Sequence, residues 1–171
     1  MLNMRTADDD LKAAAVIRET ATRLFAERGA AAVTVREIAA AAGVSPGLVM
    51  HHYGSKDGLK DAVERRVVTF FEEMIGDLSR IGAEGGAASL AELFAGRLES
   101  EPSMTAYVRR LLADGGAPAD ALFARLFEAT AAGMRSLVAA GIARPVQDER
   151  IRTAFLLAND LSPVLLRRQI A

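Results

Sequence analysis

Cysteine and tryptophan are both missing from the 171 residues. Without cysteine the chain has no disulfides and no thiolate metal sites, a composition that suits a reducing cytosol. Aromatic residues are few, two tyrosines and seven phenylalanines. Strand-type alternation of polar and apolar positions is absent, which leaves the helix as the building unit. Long apolar runs are lacking too, and none approaches the roughly 20 residues that span a bilayer. The amino terminus, MLNMRTADDD, has no apolar core of the kind a signal peptide needs. An excess of either charge is also absent: 21 basic side chains stand against 22 acidic ones, for a net charge of −1. Any surface for nucleic acid must therefore be a local patch. No Ser/His/acid set, cysteine nucleophile, phosphate loop or metal-ligand spacing occurs, and the pair Glu72–Glu73 reads as the wet face of a helix. No catalysis and no cofactor are expected. The two histidines, His51 and His52, are neighbours that point about 100° apart on a helix, so a shared metal is not expected either.

What is present is 51% hydrophobic and 25% charged residues, enough for one compact body or two small ones sharing a core. The expected fold is all-α, cytoplasmic and without a membrane anchor. Residues 1–9 read as a loose arm. A first helix follows from about Asp10 to Arg28, with Val16, Ile17, Ala21, Leu24 and Phe25 as its apolar stripe and Gly29 as its C′ residue. A long helix runs from Ser55 to about Arg80, with Leu59, Val63, Val67, Phe70, Met74 and Leu78 at steps of three and four. The stretch Gly82–Gly86 is the clearest break. Beyond it, Ser89 and Glu92 repeat a capping-box signature before Leu90, Leu93, Phe94 and Leu98. Pro102 opens a helix that Gly115–Gly116 ends, and another runs from about Pro118 to Ala140, where Gly141 and Ile142 suit a Schellman end. The last helix begins near Asp148 and carries Ile151, Ala154, Phe155, Ala158, Leu161 and Leu165, with a kink expected at Pro163.

The stretch from Thr34 to Leu59 carries the most information. Thr34 suits an N-cap, and Glu37 three residues on completes a capping box. A short helix over Val35–Ala42 places Val35, Ile38, Ala39 and Ala42 on one side. Gly43 stands where the chain must leave that helix with positive φ. Val44 plugs the turn, Ser45 caps the next helix, and Pro46 takes its first position, where a missing N–H is harmless. Ala39, Gly43 and Val49 supply the small residue, the turn glycine and the apolar seat of a helix-turn-helix. Its second helix, Ser45–Tyr53, would enter a major groove amino end first, with Ser45, Pro46, Gly47, Leu48 and His51 outward. From Thr34 to Lys56 the only acid is Glu37, set against Arg36, Lys56 and both histidines.

That composite resembles the DNA-binding domain of the TetR family of bacterial transcriptional regulators, over about residues 10–65. The matching residues are Thr34, Ile38-Ala39, Ala42-Gly43-Val44-Ser45, Gly47, Val49, His52-Tyr53, Ser55-Lys56-Asp57 and Leu59. Met50 departs from the pattern, since the family usually has there a tyrosine that helps hold the DNA backbone. The resemblance implies a three-helix DNA-binding head at residues 1–54, completed by the start of the long helix, and a helical effector-binding and dimerisation body at residues 55–171. It puts Pro46, Gly47, His51 and Arg36 on bases. A guanidinium can fork onto guanine O6 and N7, although Arg36 also reads as a solvated surface residue. Thr34, Tyr53 and Lys56 fall to phosphate oxygens, with backbone N–H groups at the starts of helices near Thr34 and Ser55. Lys56 opposes the dipole of its own helix, so it needs another reason to be there. His52 suits either a phosphate or a seat beside the long helix, and Tyr53 is either core or phosphate contact.

In the second body, Phe94, Leu98, Met104, Tyr107, Leu111, Phe123, Phe127 and Met134 either line an apolar ligand cavity or simply fill the core. The resemblance implies a homodimeric repressor on a palindromic DNA operator, released by a small apolar effector. The alternative is a helical interaction module whose helix-turn-helix no longer binds DNA. Only one of the two carboxyl-terminal helices usual in the family is evident, so a clipped or short chain is expected.

Overall fold

The computed structural model describes residues 3–83, 96–97 and 99–165. Every regular element among them is helical: α1 (Asn3–Arg28), a single 3-10 turn (Ala30–Ala32), α2 (Val35–Ala42), α3 (Pro46–Tyr53), α4 (Lys56–Ala83), α5 (Pro102–Asp114), α6 (Gly116–Ala139) and α7 (Glu149–Leu165). None is long and apolar enough to cross a membrane among the described residues.

Helix α1 starts at Asn3, so residues 3–9, expected as a loose arm, belong to it. The acidic run Asp8–Asp10 lies well inside the helix rather than at its amino end. Ile17, Ala21, Leu24 and Phe25 are buried as expected, but Val16 is 49% exposed. Val16 lies about 100° round the helix from Ile17, on the side that no other element covers as fully.

Helix α4, 28 residues and about 42 Å long at 1.5 Å per residue, is the spine. Leu59, Val63, Val67, Phe70, Phe71 and Met74 are buried along it. A single hydrophobic cluster runs without interruption from Ile17 and Phe25 in α1, through Ile38 and Val49, along α4, to Leu122 and Leu126 of α6 and Leu157 and Leu161 of α7. Head and body therefore share one core, which answers the problem of a three-helix unit too small to bury enough surface alone. Helix α4 is not the sole connection, because α1 also packs along the length of α5. At their crossing Phe25 and Tyr107 rings sit 6.3 Å apart. Arg66 of α4 reaches Glu101, just before α5, at 3.0 Å.

Helix α6 ends as the sequence reads. Gly141 has φ 75°, its N–H donates to Val138 O at 3.0 Å, and Ile142 N–H donates to Leu137 O at 2.9 Å, the two bonds of a Schellman end. Helix α7 differs from expectation. Its buried side is Thr153, Leu157 and Leu161, while Ile151 and Phe155 are 68% and 71% exposed. The helix is apolar on most of its circumference, so periodicity alone could not say which side meets α6. Helix α4 continues through Gly82 to Ala83. The remainder of the expected break, the Ser89–Glu92 capping box, Phe94 and Leu98 lie outside the described residues.

Candidate nucleic-acid interface

The capping box forms as read. Thr34 Oγ1 accepts from Glu37 N–H at 3.2 Å, and the Glu37 carboxylate accepts from Thr34 N–H and from its hydroxyl, both at 2.8 Å. Arg28 Nη1 lies 2.8 Å from the other carboxylate oxygen. Hydrogen bonds from the Thr34 side chain and backbone, then from Arg28, bring the Glu37 pKa down to about 2. The only acid of this stretch is thereby neutralised by Arg28 before it can repel a phosphate. Arg28 was not among the candidates; its signal in the sequence is only that a helix-ending arginine precedes the box by six residues.

Gly43 adopts φ 69°, ψ 28°, the left-handed conformation glycine accepts without strain. Val44 N–H returns to Ala39 O at 2.9 Å. Ser45 Oγ accepts from Leu48 N–H at 3.1 Å, with Pro46 in the first position of α3. Ala39 and Val49 are buried, so α3 is held on α2 by its inner side while Ser45, Pro46, Gly47, Met50 and His51 are exposed. Leu48, expected outward, is half-buried against the core.

Around this surface the side chains divide into free and engaged. Arg36, in the first turn of α2, is exposed and has no ion pair among the described residues. His51 is exposed, with its ring 5.4 Å from that of His52. His52 is mostly covered, and its Nε2 lies 3.4 Å from an Asp10 carboxylate oxygen without a hydrogen bond. Tyr53 donates its hydroxyl to Ala14 O at 2.6 Å, and burial raises its pKa; the donor assigned to a phosphate instead fixes α3 to α1. Lys56 Nζ donates to Ala31 O at 3.3 Å, and the Thr34 hydroxyl is held by Glu37. Ser55 re-caps the chain, accepting from Gly58 N–H at 2.9 Å. Gly58 is a residue the sequence reading missed: a Cβ there would sit 2.2 Å from Tyr53 O, so α3 and α4 meet backbone to backbone.

The candidate ligand residues do not converge. Met104 and Tyr107 are buried in α5, with Tyr107 Oη 3.4 Å from Glu64 Oε1 and Leu111 half-buried on the same helix. Phe123 and Phe127, 6.4 Å apart, line an open groove of about 500 Å³ between α6 and α7 with Ala131, Arg135 and Thr153. Met134 lies half-buried further along α6. No group of three or more residues suited to a metal occurs among the described residues.

Comparison with known proteins finds family matches at both ends of the chain. Residues 17–63 match the family described as bacterial regulatory proteins, tetR family. Residues 99–171 match the tetracyclin repressor-like C-terminal domain, although the sequence reading found nothing there beyond helices. The HTH-type transcriptional regulatory protein RaaS of Mycobacterium tuberculosis is 35% identical over 167 residues, 98% of this chain and 76% of that protein. The HTH-type transcriptional repressor Rv3405c of the same organism is 56% identical over 50 residues, 29% of this chain and 27% of that one. Among solved structures, the TetR family transcriptional regulator PfmR from Thermus thermophilus superposes with a TM-score of 0.55 at 22% identity, covering 86% of this chain and 84% of that one.

Proposed function

The chain belongs to the TetR family of bacterial regulatory proteins and is a DNA-binding transcriptional regulator, and from that premise we propose that it is a cytoplasmic homodimeric repressor whose α3 reads a palindromic operator. The observation that carries this reading is the exposure of Pro46, Gly47 and His51 together on the outer side of α3, with Arg36, exposed in the first turn of α2, free of ion pairs among the described residues. In this reading residues 1–54 with the start of α4 form the head, and residues 55–171 form the body that binds an effector and pairs the two copies. Arg36 and the amino end of α3 meet base edges. Lys56 and the backbone N–H groups at the starts of α2 and α4 meet phosphates, while His52, covered beside Asp10, packs inside the head. Met50, exposed at a position where the family usually has tyrosine, makes apolar contact at most.

The two heads of a dimer would sit about one helical turn apart, roughly 34–36 Å. The exposed Ile151 and Phe155 of α7, beside the Phe123–Phe127 groove, suit the apolar centre of a subunit interface. A small molecule bound in the body releases the operator only through its different affinity for the bound and released head spacings. Selection of duplexes from a random pool supplies the operator, and two variants then test the roles. Arg36→Ala should lose about 1–3 kcal/mol on the selected duplex and relax its base preference, whereas Lys56→Ala should weaken selected and scrambled duplexes alike. Equal losses on both duplexes for Arg36→Ala remove it from base reading.

A further inference from the structure

We propose that Arg110 of α5 is a positioning residue for operator recognition: it fastens the head to the body at a second point, away from α4. The inference rests on the DNA-binding reading above and assigns to it a residue that touches neither DNA nor the candidate effector groove. Arg110 Nη1 donates to Glu27 O at 2.9 Å, one of the last carbonyls of α1, which has no partner within its own helix. The cation also meets the negative end of the α1 dipole. Its guanidinium lies against Gly29, where a Cβ would come within 3.4 Å of Nε and Nη2, and Asp114 Oδ2 forms an ion pair with it, 3.3 Å from Nε. From that point the contacts continue to the reading surface. Arg28 donates to Ala32 O at 3.0 Å and pairs with Glu37 at 2.8 Å, and Glu37 closes the capping box of α2 next to Arg36. The turn between α1 and α2 is thus gripped from the body by Arg110 and from α4 by Lys56.

Water could satisfy Glu27 O if Arg110 were absent, so the bond is not needed for α1 to form. What it adds is a fixed angle between head and body. A dimer that reads two half-sites at set separation depends on that angle, because each head must arrive in its groove at once.

The cysteine-free chain allows a direct test. Spin labels on an Ala40→Cys, Ala139→Cys double variant, diluted with unlabelled chain, report the head-to-body distance distribution by pulsed electron paramagnetic resonance. Both positions are exposed. The distribution is expected to be narrow with Arg110 and distinctly broader with Arg110→Met, at unchanged helical circular dichroism. The label-free Arg110→Met protein should bind the selected duplex roughly 3- to 10-fold more weakly. Arg110→Lys, which keeps the charge but loses the fork, should fall between, and it carries the comparison if Arg110→Met does not fold. Identical distributions overturn the proposal, as does broadening with no change in duplex affinity. A wild type that selects no duplex overturns the DNA-binding reading and this assignment with it, whereas a wild type that selects one while Arg110→Met matches it removes the assignment alone.

Discussion

Gly47 has no reason inside the protein for lacking a side chain. A Cβ there would meet only Ser45 Oγ, at an ordinary 3.8 Å, and the residue lies within a helix, where alanine is favoured over glycine by up to about 1 kcal/mol. In the proposed function its use lies outside the chain, where a bare backbone lets another surface approach closely. Gly47→Ala should therefore leave the melting temperature equal or raised while weakening operator binding; lowered stability with intact binding would assign the glycine to the fold instead. Glu37 gives a prediction in pH. Its folded pKa, about 2, lies below the ordinary glutamate value of 4.5. The stabilisation it provides is complete above the unfolded value and fades as pH falls from about 4.5 toward 2. The difference in melting temperature between wild type and Glu37→Gln should accordingly be largest near neutrality and shrink by pH 3. A constant difference across that range would mean that the carboxylate charge is not what matters. Of these residue-scale features, the capping box was legible from Thr34 and Glu37 alone, because both partners are three residues apart. Arg28 was not, since its approach to Glu37 depends on how α1 meets α2.

Among the elements, the junction of α3 and α4 is the most tightly specified. Gly58 occupies the first turn of α4, where the carbonyl of Tyr53 leaves no room for a methyl group. Gly58→Ala should destabilise the protein by about 1–3 kcal/mol, the usual range for overpacking against atoms that cannot yield. Urea unfolding measures this, and a loss under about 0.5 kcal/mol, the scale of an ordinary surface substitution, would mean that the two helices part easily. The helices themselves were readable because their signals are local: Gly43 and Ser45 at the turn, Gly141 and Ile142 at the end of α6. The buried side of α7 was not. Ile151 and Phe155 follow helical spacing as well as Thr153 and Leu157 do, and only the position of α6 decides between them. The candidate ligand residues failed to converge for the same reason: Tyr107 meets Phe25 of α1 and Glu64 of α4, while Phe123 and Phe127 line the groove beside α7.

For the whole molecule, one core joining head and body means that neither moves without disturbing the other at α4 or at the α1–α5 contact. The proposed dimer follows from the exposed apolar side of α7. Phe155→Glu should shift the protein from dimer to monomer in sedimentation velocity without loss of helical signal, and a dimer that persists would place the subunit contact elsewhere. The shared core was only partly foreseeable: the long helix from Ser55 announced one connection, while the packing of α1 on α5 joins residues about 80 apart in sequence and leaves no local trace. The inferences about operator recognition presuppose that the outer side of α3 faces DNA. The most direct test is a titration of the intact protein against its selected duplex and a scrambled one at increasing salt. Affinity for the selected duplex should fall log-linearly with salt, with a slope of about −0.9 per phosphate contacted, and should exceed that for the scrambled duplex by about 10³ or more. Affinity that ignores salt, or that does not distinguish the two duplexes, would contradict the account.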